Sequence, residues 1–118
     1  LFFSGDFSTP LSDAAAGRYA GVLEMVRLGP SASNRQPWRI VRDGERGAFH
    51  LFLRRSPGYD KIISAVDLQR IDMGIAMCHF ELTARETGLA GAWKTLDPRP
   101  DAGPLPEGTG YVMSWVEG

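Results

Sequence analysis

Eleven residues between two apolar segments, Pro-Ser-Ala-Ser-Asn-Arg-Gln-Pro-Trp-Arg-Ile from Pro30 to Ile40, hold the densest set of potential chemistry in the chain. Turn formation accounts for Pro30, Ser31, Ser33 and Asn34, since each of these residue types relieves the backbone of helical or strand geometry. It does not require Gln36 or Trp38. The stretch therefore reads either as an ordinary connection or as a site.

Other chemistries fare worse. His50 and His79 fall on different elements without a His, Cys or carboxylate at a recognised ligand spacing, so both are read as partly buried or surface histidines rather than metal ligands. Cys78, the only cysteine, lies in an apolar helical stripe, where a buried thiol behaves as a small inert hydrophobe. Neither GxGxxG nor GxxxxGK[ST] occurs, which removes support for a dinucleotide fold or a phosphate loop. No catalytic residue and no metal ligand is assigned.

At 118 residues with 43% hydrophobic and 23% charged content, the chain is of single-domain size and globular composition. Thirteen cations against fourteen anions give a net charge of -1, so nothing draws it to nucleic acid or anionic lipid. Eleven of those cations are Arg, which suits fixed recognition of carboxylate or phosphate but also follows from a GC-rich genome. One cysteine excludes an internal disulfide and fits a reducing, cytoplasmic setting. No apolar run reaches the roughly 20 residues that span a bilayer. The opening Leu-Phe-Phe-Ser-Gly-Asp-Phe is read as the start of a fragment of a longer chain, with 1–118 a single domain.

The elements that must position the loop follow from periodicity. Thr9-Pro10 or Ser12-Asp13 opens a helix, with Ala15, Tyr19, Val22, Leu23 and Val26 at helical spacing and an end near Leu28. Trp38–Asp43 and Ala48–Arg55 alternate around a Gly-bounded turn and predict a β-hairpin, with Phe49, Leu51 and Leu53 on one side. Ser56–Gln69 contains a lid-like connection begun by Pro57 and Gly58, and Asp97–Gly110 is a Pro/Gly-rich surface loop. Gly91–Leu96 and Tyr111–Gly118 read as strands. Helix, hairpin, long helix, strand, strand predicts an α+β domain with an antiparallel sheet flanked by helices.

Leu68 to Leu89 predicts the long helix, ended by Gly88. Leu68, Ile71, Ile75, Cys78 and Leu82 form one apolar stripe; Met73, Met77, Phe80 and Ala84 form a second on nearly the opposite side. Gln69, Asp72, His79, Thr83 and Glu86 occupy one flank, and Arg70, Glu81 and Arg85 the other. Two apolar faces imply two packing partners, one of them outside these residues.

Arg27–Val41 followed by Asp67–Trp93 resembles the FMN-dependent nitroreductase family, and most of all the subfamily in which one chain carries two nitroreductase-like halves and mimics a homodimer. The resemblance runs from about Leu11 to Trp93 and takes in the last strand. It implies a nitroreductase-like half-domain, here the C-terminal half, with a long central helix at the interface. It also implies NAD(P)H-driven reduction of nitroaromatics, quinones or similar small electrophiles, with FMN held where two halves or subunits meet.

Residue by residue, the family's loop matches Pro30, Ser31, Ala32, Ser33 and Asn34, which the resemblance places against the flavin; Gln36 bonds either flavin or backbone. Pro37 and Trp38 start the strand, with the indole packed beneath the loop. The family's basic phosphate-binding motif has no counterpart, because Leu1–Asp13 contains neither Lys nor Arg. A missing N-terminal half, or a second subunit, is expected to supply it. The alternatives are a catalytically silent structural or flavin-binding half, and a protein-interaction module using the second apolar helix face.

Overall fold

The computed structural model describes residues 2–7, 9–29, 38–54, 68–96 and 109–118. Strand β1 (Phe2–Ser4) leads to helix α1 (Asp13–Ala16), a 3-10 turn (Gly17–Tyr19) and helix α2 (Ala20–Leu28). Strands β2 (Trp38–Asp43) and β3 (Ala48–Arg54) precede the long helix α3 (Leu68–Glu86). Strands β4 (Gly91–Lys94) and β5 (Thr109–Glu117) complete the fold. Of the predicted connections Ser56–Gln69 and Asp97–Gly110, residues 56–67 and 97–108 lie outside the described residues, while Leu68 and Gln69 belong to α3 and Thr109 and Gly110 to β5.

Of the two predicted helix starts, Ser12 is the one used: its Oγ accepts the Ala15 N–H at 3.1 Å. Gly17 then takes φ 59°, a conformation open to glycine, and breaks the predicted single helix in two. The break resets the helical phase, so Ala16 is buried while Ala15 is exposed; Tyr19, Val22, Leu23 and Val26 are buried as the spacing predicts.

The α+β fold and its hairpin are present. Trp38 pairs with Leu53 and Asp43 with Ala48, and the sheet order is β1-β2-β3-β5-β4. Four of its strands are antiparallel neighbours. β1, which the sequence did not reveal, adds a parallel edge with Phe3 opposite Val41. Three residues without alternation or a turn signal fall below what strand patterning detects.

The described helices pack on one sheet face, where Trp38, Ile40, Phe49, Leu51, Leu53 and Trp115 meet Tyr19, Val22, Val26, Met73, Ala76, Phe80 and Ala84. Phe80 is central: its ring centroid lies 5.4 Å from Trp115, 5.5 Å from Phe49, 5.6 Å from Trp93 and 5.9 Å from Tyr19. β4 crosses Trp115 so closely that a Cβ on Gly91 would lie 2.5 Å from the indole. α3 ends in a Schellman motif, with Leu89 N–H donating to Ala84 at 2.8 Å and Gly88 N–H to Arg85 at 3.2 Å while Gly88 adopts φ 76°.

This packing separates the two stripes of α3. Met73, Phe80 and Ala84 are buried against the home sheet with Met77 partly buried beside them, whereas Ile71 is 51% and Leu82 56% exposed. Cys78 is exposed as well, which corrects its reading as a core residue: it lies on the stripe that the sheet leaves uncovered.

Phe80→Ala should therefore lower unfolding stability by about 3 to 5 kcal/mol, the usual cost of emptying an aromatic core position. Leu82→Ala should stay within about 0.5 kcal/mol in the same urea titration, as exposed positions do. Equal losses at the two positions would contradict the assignment of the stripes.

Candidate functional site

The sequence-predicted site residues Pro30, Ser31, Ala32, Ser33, Asn34 and Gln36 lie outside the described residues, so the structure defines the two ends between which they run. At one end, the Gly29 N–H donates to the Val26 carbonyl at 3.1 Å and the backbone turns extended at φ -65°, ψ 151°. A Cβ at Gly29 would lie 3.2 Å from Val26 O and 3.3 Å from His79 Cδ2. Glycine thus lets the chain leave α2 against the His79 ring of α3. His79 is half-buried packing at the root of the loop.

At the other end Trp38 begins β2, as expected, and is fully buried on the helical side of the sheet. Its indole fills the core, and whether the loop covers it falls outside the described residues. Its Nε1–H finds no hydrogen-bond partner among the described residues. Asp72 of α3, read from the sequence as a flank residue, is 3% exposed and partnered.

The N-terminal region provides a direct test for a flavin phosphate. A cavity of ≈ 220 Å³ is lined there by Ser12, Asp13, Glu24 and Arg27 among apolar neighbours. Ser12 is engaged as the α1 cap, and Arg27 Nε donates to Glu24 Oε2 at 3.0 Å. That hydrogen bond, with the charge of Arg27, lowers the Glu24 carboxyl from its ordinary value. Two carboxylates and a committed guanidinium do not fit a dianionic phosphate, which requires uncommitted donors. Elsewhere, burial and the nearby charge of Arg54 lower Arg39 from the ordinary arginine value.

A second polar site was missed by the sequence reading. The sheet face away from the helices carries Val41 and Phe52, with Phe3, Phe7 and Tyr111 packed on them. Within that face His50, 1% exposed, bonds on both ring nitrogens: Nε2 to Asp43 Oδ2 at 3.0 Å and Nδ1 to Ser114 Oγ at 2.6 Å. Ser114 Oγ lies 2.6 Å from the Tyr111 hydroxyl, which accepts the Leu96 N–H at 2.9 Å.

The spacing of Tyr111 and Ser114 concealed this chain, because residues three apart on a strand face opposite ways. An irregularity in β5 brings them together: Leu51 pairs with Met113 and Phe52 with Tyr111, leaving Val112 over. The available sequence signal was Ala-Phe-His-Leu-Phe-Leu, whose continuous apolar run around His50 marks a strand buried on both faces. Asp43 borders a cleft of ≈ 410 Å³ with Ser4, Gly5, Arg42, Gly44 and Glu45. Among the described residues no cluster of His, Cys, Asp or Glu has a metal-site arrangement, and no helix is long and apolar enough to cross a membrane.

Burial alone would raise the Asp43 carboxyl, but the His50 hydrogen bond, the Arg46 N–H and the charges of both residues outweigh it and hold the group below its ordinary 3.8. A depressed carboxyl contributes stability above its unfolded value and loses it as pH falls through the folded value. Asp43→Ala should cost about 1 to 3 kcal/mol near neutral pH by removing a partner from buried His50. The gap to the parent should narrow on acidification below about pH 4. Stability curves that run parallel throughout would refute this role.

Comparison with known proteins agrees with the fold. A search of curated proteins returns no match. A family model described as "Putative TM nitroreductase" matches residues 11–84, which takes in α1, α2, the loop, the hairpin and most of α3. With more than half its length inside that match, a mixed five-stranded sheet and a long helix packed across it, this chain belongs to the nitroreductase family so described, an oxidoreductase-type domain.

Proposed function

We propose that this chain is the C-terminal half of an FMN-dependent oxidoreductase, acting in the cytoplasm, that uses NAD(P)H to reduce nitroaromatics, quinones or similar electrophiles. The observation that carries this reading is the uncovered stripe of α3, where Ile71, Cys78 and Leu82 are exposed on the outward side of a helix whose inner side fills its own core. In a family that generally holds flavin between subunits, such a face belongs against a second half or subunit. Bound FMN supplies the redox chemistry, and the protein supplies orientation and electrostatics.

This half is proposed to supply the covering loop, with Pro30, Ser31, Ala32, Ser33, Asn34 and Gln36 toward the flavin. Pro30 and Ala32 are small enough for close backbone approach to a planar ring. Ser31, Ser33 and Asn34 bring donors and acceptors for its polar edge or ribityl hydroxyls. The phosphate grip is assigned to the other half, because Asp13, Glu24 and the engaged Arg27 are unsuited to it here. The same carboxylates favour, as the second reading, a catalytically silent half that completes a pseudo-dimer.

Mixing the chain with FMN, alone and together with the upstream half, separates these readings. Yellow protein and NAD(P)H oxidation in the pair alone support the shared site; a pair that binds FMN without turnover supports the silent half; colourless protein in both mixtures contradicts flavin binding. In the active pair, Asn34→Leu should weaken FMN binding by about 1 to 3 kcal/mol through loss of a buried polar partner. Unchanged affinity would remove Asn34 from the site.

A further inference from the structure

The chain of hydrogen bonds from Asp43 to Tyr111 has no part in the proposed flavin chemistry, yet it joins a solvent cleft to the residues that leave β4. Its members come from the end of β2, the middle of β3 and two positions of β5. Tyr111 reaches past β5 to the main chain after β4, accepting the Leu96 N–H at 2.9 Å with the Lys94 carbonyl at 3.5 Å. Asp, His and Ser in sequence suggest a nucleophile, but Ser114 is fully buried and bonded on both sides, so no substrate atom reaches it.

The polarity of the chain follows from counting hydrogens. Asp43 accepts from the Arg46 N–H at 3.2 Å and lies 3.5 Å from Arg46 Nε, so the carboxylate is ionised and His50 Nε2 must carry the hydrogen directed at it. A neutral imidazole then accepts at Nδ1, which obliges Ser114 to donate to His50 and Tyr111 to donate to Ser114. Each hydroxyl has one hydrogen, so Tyr111 has none left for the Lys94 carbonyl, in keeping with the 3.5 Å separation.

A proton taken from solvent onto Nδ1 reverses both hydroxyls. Nδ1–H donates to Ser114, Ser114 donates to Tyr111, and the Tyr111 hydrogen turns to Lys94 O while its oxygen still accepts from Leu96. No mixed arrangement satisfies all the groups. The charged and titratable groups around this site among the described residues include Asp43 and Arg46 from the β2–β3 turn, Arg42 and Glu45 on the cleft, with Arg42 paired to Glu117 of β5, Tyr111 from β5, and Lys94 of β4 in register with Ser114. The N-terminal segment packed on the same face brings Asp6, whose Oδ1 accepts the Thr9 N–H at 3.1 Å.

We propose that Asp43, His50, Ser114 and Tyr111 form a proton-directed latch, in which protonation of His50 adds a second hydrogen bond from Tyr111 to the segment leaving β4. The effect is local to Lys94 and Leu96. It is independent of flavin, so it stands or falls separately from the proposed function.

The test is amide hydrogen exchange of Leu96 in the full-length protein as a function of pH, with the protonation of His50 followed by its ¹⁵N shifts in the same samples. After correction for intrinsic exchange, protection of Leu96 should rise about two- to tenfold on acidification, the worth of one net hydrogen bond. At the alkaline end Nδ1 should be the bare nitrogen. Ser114→Ala leaves the Tyr111 hydrogen to Lys94 at every pH, so it should raise the alkaline protection to the acid level and abolish the rise, and Tyr111→Phe should lower protection throughout. Flat protection in the parent, a hydrogen on Nδ1 at the alkaline end, or a rise retained in either variant would overturn the latch.

Discussion

One aromatic ring fixes the rotation of the long helix, and the rest of the arrangement follows from it. Phe80 packs within 5.9 Å of Tyr19, Phe49, Trp93 and Trp115, which come from the 3-10 turn, β3, β4 and β5. Rings of this size bury large areas, and offset or edge contacts add to that burial, so α3 cannot turn without losing all four contacts together. Trp115 is also tied through Nε1–H to the Tyr19 hydroxyl at 3.0 Å, and Trp93 through Nε1–H to Glu81 of α3 at 2.8 Å. With Phe80 inward, Ile71, Cys78 and Leu82 must point away from the sheet.

That rotation links packing to the proposed function. The same helix that closes the core brings His79 against Gly29, so the start of the loop is held by the element that presents the uncovered stripe. The root of the loop at Gly29 and the outward face both depend on that one orientation. On the opposite sheet face, hydrogen bonding takes over from packing: the buried imidazole of His50 is satisfied at both nitrogens, and the irregularity at Val112 makes this possible by turning Tyr111 and Ser114 to the same side.

Long periodic elements were legible in the sequence, whereas the partners of each face were not. The hairpin, a helix start at one of the two caps offered, the Gly88 stop and the two stripes of α3 follow from alternation, helical spacing and capping chemistry, whereas the hairpin's register does not. Which stripe faces home did not follow, because Leu, Ile and Cys on one side are as apolar as Met, Phe and Ala on the other; the aromatic neighbours that choose Phe80 come from distant strands. Cys78 was placed in the core for that reason. β1 is too short to carry a pattern, and Gly17 altered the helical phase by one residue. Outward-facing His50 looked like surface until the apolar residues beside it showed a sheet buried on both faces.

The central claim is that this chain provides half of a flavin site. Equilibrium titration of the full-length protein with FMN tests it most directly, with absorbance reporting bound flavin per chain. A shared site predicts one FMN for each pair of halves; two equivalent sites per chain would contradict it, since each half would then hold a complete phosphate grip of its own.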